Sequence, residues 1–155
     1  MRLWTMAVVG LGLSLSALTT ANAQESDWEE KPYIIEDGKV DYGTYNGYRR
    51  YHNTCHVCHG PDALGSSFAP SLTESLKTMS YTDFLEVVTN GRQAKGAANQ
   101  DSVMPSFAEN SDVMLYIDHI YAYLKARADD AVGRGRPERL PPEEDQVFQE
   151  WKDSQ

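Results

Sequence analysis

Cysteine is almost missing from this chain. Its 155 residues contain two, too few for a scaffold built on disulfides. An excess of positive charge is missing too: 14 Lys and Arg stand against 23 Asp and Glu, a formal charge of −9. That balance argues against nucleic acid or an anionic membrane as the main partner. Beyond the first 23 residues there is no long apolar run, and a mean hydropathy of −0.54 excludes a polytopic membrane protein. Internal repeats are absent and strand-type alternation is scarce. What is present is enough for a core, because hydrophobic residues make up 41% of the chain and wholesale disorder is excluded. The length suits one domain with extensions.

Residues 1–23 read as a secretory signal peptide rather than as part of the fold. Arg2 supplies a positive start, Met6 to Leu18 is largely apolar, and Ala21-Asn22-Ala23 is a small-x-small cleavage pattern. The mature chain is then expected to be exported, with no membrane span. Residues 24–40 form an acidic arm, with six carboxylates against two basic residues. Residues 41–127 carry the periodic pattern and are nearly neutral, nine acidic against seven basic. Residues 128–155 return to Gly, Pro and charge, eight acidic against four basic, and are expected to be a flexible tail in which Val147, Phe148 and Trp151 form one docking turn.

The pattern within 41–127 is helical. Tyr45, Tyr48, Tyr51 and Cys55 recur at steps of three and four, which predicts a helix over 41–56, although Gly43 and Gly47 weaken its propensity. Ser80 with Asp83 predicts a capped helix over 81–89, ended by Asn90-Gly91. The stripe Val113, Tyr116, Ile117, Ile120, Tyr123 and Leu124 predicts one helix over 112–127, with Lys125 and Arg127 at its C-terminal end. Residues 60–77 and 92–107 read as loops.

Both cysteines fall inside Cys55-His56-Val57-Cys58-His59. C-x-x-C-H is the spacing of covalent haem attachment: two thiols on one helical turn reach both vinyl groups, and the adjacent imidazole faces the iron. Export fits this chemistry. A thioredoxin-like redox pair would not need His59, and a zinc site from His52, Cys55, Cys58 and His59 spans too little chain. The sixth ligand has several candidates: Met79, Met104 and Met114, with His52 and His119 as outsiders. Met104 is preferred, because Pro105 holds it extended in the last loop before the final helix. His119 reads as a solvated helix residue. Arg92, after Gly91, is a candidate partner for a haem propionate, as are Arg49 and Arg50.

The stretch 41–127 resembles the class I c-type cytochromes, an all-α fold whose N- and C-terminal helices cross around one covalent haem. The resemblance implies that Gly47 and Tyr51 pack at a helix crossing against Ile120 and Tyr123. It implies that the Pro70 carbonyl accepts the proton of His59 Nδ1, although the usual Gly before that proline is Ala69 here. A narrower similarity runs through 45–52, 103–107 and 118–127, and through the following Gly-Arg-Gly-Arg-Pro. It is to periplasmic cytochromes that accept electrons from quinoprotein (PQQ-dependent) methanol and alcohol dehydrogenases, especially lanthanide-type ones. This implies a periplasmic electron-transfer protein, not an enzyme, reduced by such a dehydrogenase and oxidised by another cytochrome or a terminal oxidase. The alternatives are a haem peroxidase or gas-binding cytochrome with an open sixth position, and a cytochrome subunit of another respiratory complex.

Overall fold

A computed structural model describes residues 27–95 and 101–155. The expected signal peptide lies outside them. The architecture is helical, as expected, with two short hairpins added. The first long helix, α1 (Tyr42–Thr54), starts at Asp41, whose Oδ1 accepts the Thr44 amide at 3.0 Å while Oδ2 accepts the Thr44 hydroxyl and the Ile34 amide. Those donors are what make a buried carboxylate tolerable there. One turn, α2 (His56–His59), continues from α1 through Cys55. Next come α3 (Leu72–Ser75), α4 (Tyr81–Asn90), α5 (Ser111–Met114) and α6 (Ile117–Ala128). A last helix, α7 (Gln146–Asp153), closes the chain.

Helices α1 and α6 cross at Gly47. A Cβ placed on Gly47 would sit 1.7 Å from the His119 carbonyl oxygen and 3.0 Å from the Tyr123 Cβ. Only a residue without a side chain lets the two backbones come so close. Around this crossing the core gathers Tyr51, Leu76, Phe84, Val88, Val113, Ile120, Tyr121, Tyr123 and Leu124, all buried. Cap chemistry places the shorter helices. The Ser80 hydroxyl accepts the Asp83 amide at 3.1 Å at the start of α4, and Gly91 (φ +74°) ends it.

Four expectations need correcting. The region 92–107 is not all loop: β3 (Arg92–Lys95) pairs antiparallel with β4 (Asp101–Met104), Arg92 opposite Met104. The region 60–77 contains α3. The helix expected over 112–127 is two, α5 and α6, broken at Leu115–Tyr116. Arg50 spans that break, in an ion pair with Asp112 at 3.0 Å and with its guanidinium 3.9 Å from the Tyr116 ring centroid. The sequence there has no helix breaker, and residues on both sides of the break meet Arg50.

Nor is 128–155 a free tail. Arg139 bridges to Val40, the Val40 amide donates to the Glu138 carbonyl, and the Leu140 amide donates to the Val40 carbonyl, each at 2.9 Å. Val132 and Leu140 are buried, and α7 lays Trp151 and Phe148 on Tyr42, 5.0 and 5.4 Å between ring centroids. The arm is similarly tied in. β1 (Ile35–Glu36) pairs with β2 (Lys39–Val40), Tyr33 packs with Val40, Ala126 and Val132, and Trp28 meets Tyr81 edge-on at 5.2 Å.

Candidate functional site

The two cysteines lie on one continuous helical turn. The Cys55 amide donates to Tyr51 O at 2.8 Å and the His59 amide donates to Cys55 O at 3.0 Å. A spacing of three residues in such a turn puts Cys55 and Cys58 on one side of the helix. Cys58 is exposed and Cys55 half-buried, and neither is in a disulfide. Burial pushes the Cys55 thiol up to about 11, with the neighbouring Cys58 adding to it. Among the described residues no three His, Cys, Asp or Glu side chains converge as metal ligands.

His59 is buried, and its Nδ1 lies 2.9 Å from the Pro70 carbonyl oxygen. A carbonyl oxygen only accepts, so Nδ1 carries the proton and Nε2 keeps its lone pair for a metal. The loop between them is fixed by its backbone. The Gly65 amide donates to His59 O at 2.9 Å, and the Tyr51 hydroxyl donates to Gly60 O. Gly65 has φ +86°, and a Cβ on it would stand 2.7 Å from the Ser71 nitrogen, against the Pro70–Ser71 peptide. Beneath the loop, the Asp62 carbonyl accepts from buried Arg127, whose other terminal nitrogen donates to Val132 O at 2.6 Å.

Met104 ends β4, half-buried against the main core cluster. Its backbone rests on Gly91: a Cβ there would be 2.6 Å from Met104 O and 2.9 Å from the Pro105 carbonyl carbon. Just beyond, the Ser106 hydroxyl donates to Thr89 O at 2.5 Å and the Phe107 amide donates to Val88 O at 3.0 Å. The end of α4 thus anchors the base of the methionine-bearing strand. Arg92 is exposed and stands across the ladder from Met104. Met79 and Met114 are half-buried on the main core.

Gly47 and Tyr51 face His119 and Tyr123 at the crossing, with the Tyr51 and Tyr123 rings 5.5 Å apart. Ile120, also buried, belongs to the same core. His119 is not solvated as expected. Its Nδ1 accepts from the Asn46 side-chain amide at 3.0 Å, and burial holds its pKa below the usual histidine value. It is a neutral packing residue of the crossing.

The residues present fit a covalently attached haem. Two unpaired thiols share a turn, a buried imidazole has its tautomer set, and several large apolar side chains of the fold are exposed. Val57 is 70% exposed, Phe68 72% and Val103 62%. Exposed apolar groups of this kind are what a bulky apolar ligand would cover. Gly91, Arg127 and the Tyr51 hydroxyl are absent from the sequence reading of the site. Asn90-Gly91 signalled only a helix end, and nothing in the sequence pairs residue 127 with residue 62.

Residues 44–124 match the family described as cytochrome C oxidase, cbb3-type, subunit III. The chain is 50% identical over 113 residues to cytochrome c-553I of Paracoccus denitrificans, covering 73% of this chain and 50% of that protein. It therefore spans about half the length of that relative. It is 41% identical over 101 residues to cytochrome c-555 of Methylococcus capsulatus, covering 64% of this chain and 75% of that one. The solved structure of the c-type cytochrome XoxG from Methylobacterium extorquens AM1 superposes with a TM-score of 0.63 at 46% identity, over 76% of this chain and 74% of the other.

Proposed function

The chain belongs to the class I c-type cytochromes, an electron carrier with one covalent haem c, and we propose that it is a periplasmic shuttle between a quinoprotein dehydrogenase and a downstream acceptor. Haem c takes up and releases one electron at a time. Cys55 and Cys58 would hold it through thioethers, and His59 Nε2 and Met104 would ligate its iron. The residues around them keep this ligand set from rearranging. The Pro70 carbonyl fixes the imidazole and makes it more basic, and Gly91 with Ser106 fixes the methionine strand. A thioether ligand favours the reduced state. Cleavage after Ala23 delivers the chain to the periplasm. Among the described residues no helix is long and apolar enough to cross a membrane.

The donor is a PQQ-dependent methanol or alcohol dehydrogenase, and the acceptor is another cytochrome or a terminal oxidase. The donor assignment rests on the resemblance of 45–52, 103–107 and 118–127 to cytochromes that serve such enzymes. The observation that carries the carrier reading is the His59–Pro70 contact beside two thiols on one turn. The test mixes purified holoprotein with a quinoprotein dehydrogenase and its alcohol. Reduction at the rate of turnover supports the pairing; a haem that stays oxidised during turnover excludes this donor while leaving the carrier in place.

A further inference from the structure

His52, at the end of α1, and His56, inside the attachment motif, form a second imidazole pair that does not include His59. They are one turn apart on a backbone that stays helical through Cys55. Side chains four apart on a helix share a face, the spacing by which paired histidines chelate a metal. Here the rings are already parallel, 18° between planes and 5.6 Å between centroids. His52 is held on both sides: its Nδ1 lies 2.8 Å from Tyr48 O, and the Tyr48 ring packs on it at 4.1 Å. Facing a carbonyl, Nδ1 is the protonated nitrogen, so Nε2 keeps a free lone pair. This is the arrangement in which a metal-binding histidine is oriented by a backbone carbonyl. His56 is half-exposed, and its buried Nδ1 has no hydrogen-bond partner. Among the described residues no side-chain hydrogen bond holds that nitrogen.

We propose that His52 and His56 are a binding site for one borderline divalent cation of the zinc type, held by two imidazole nitrogens with water completing the shell. Imidazole suits zinc, nickel and copper, whereas calcium and magnesium require oxygen ligands. The chain's formal charge of −9 favours any cation at its surface, but only the imidazole pair selects this class. The proposal stands whatever protein reduces the haem.

The experiment is calorimetric titration of oxidised holoprotein with Zn²⁺, and separately with Mg²⁺. The chain has four histidines, and with His59 in the haem site the comparison uses the other three. One equivalent of Zn²⁺ is expected to bind, with no Mg²⁺ uptake. His52→Gln and His56→Gln should each weaken it by more than about tenfold, the loss expected when a metal's ligand set is broken. His119→Gln should leave it unchanged. Far-ultraviolet circular dichroism and the haem spectrum confirm that each variant folds. His52→Ala and His56→Ala replace any glutamine variant that does not. No saturable Zn²⁺ binding, or binding that survives either His52 or His56 substitution, overturns the proposal. Equal loss in His119→Gln also overturns it.

Discussion

The histidine side and the methionine side of the site are built differently. On the histidine side, the loop from Gly60 to Pro70 is held from several directions. Tyr51 and Arg127 bind its carbonyls from beneath, Gly65 closes it on His59, and Arg134 binds the Asp62 carboxylate at 2.9 Å from the C-terminal segment. On the methionine side, Met104 ends a four-residue strand that pairs along its length with β3, and just past it Ser106 and Phe107 tie the chain to Thr89 and Val88 while Gly91 lies under the Met104 carbonyl. His59 is held by a loop tied into the core, and Met104, its proposed counterpart, by a strand hung from the end of α4. Losing one anchor should therefore cost the histidine side little and the methionine side its ligand.

The harshest way to erase the distinction is Gly47→Ala, which strikes the crossing beneath both sides. Its Cβ meets backbone, so the helices must separate. Overpacking that nothing flexible can relieve is expected to cost about 3 kcal/mol or more, read by denaturant melts of the holoprotein. Gly91→Ala sharpens the distinction. An alanine forced to φ +74° against the Met104 carbonyl is expected to cost about 1–3 kcal/mol. It should also remove the far-red methionine–iron band while histidine ligation survives. Tyr51→Phe tests the histidine side: one hydroxyl bond is lost, for about 1 kcal/mol, and the oxidised spectrum should not change. A lost methionine band in Tyr51→Phe would show that the two sides are not independent.

The smallest effect concerns Asp62. Hydrogen bonds from the Gly135 amide and then the Arg134 guanidinium hold its carboxyl below the ordinary aspartate range. A carboxyl whose folded pKa is depressed adds stability above its unfolded pKa, and that stability is lost as pH falls through the folded value. Because Arg134 is largely exposed, the contribution is expected to be under about 1 kcal/mol. Asp62→Asn should flatten the acid limb of a stability–pH profile by that amount and leave neutral pH spectra alone.

Local chemistry was legible in the sequence, and long-range chemistry was not. The attachment turn and the Ser80 cap depend on residues within one or two turns of each other, so spacing reveals them. Gly47 stood out because a glycine inside a helical pattern needs a close neighbour. The β3–β4 hairpin was invisible because Arg92–Lys95 and Asp101–Met104 are mostly polar or small, without the alternation that marks a half-buried strand. The break before α6 lies where Asp112 and Tyr116 meet Arg50, more than sixty residues away in sequence. In 128–155, composition pointed to a solvated tail. Two buried aliphatics, Val132 and Leu140, outweighed it by joining the arm and core. His119 looked like one more polar helix residue until Asn46 supplied its partner.

The most direct test of the account is the oxidised visible spectrum of the holoprotein beside those of Met104→Ala, Met79→Ala and Met114→Ala. The account predicts a low-spin spectrum with a weak far-red methionine–iron band in the parent. That band should disappear in Met104→Ala alone and persist in the other two. A high-spin parent, or a band that survives Met104→Ala, would contradict it.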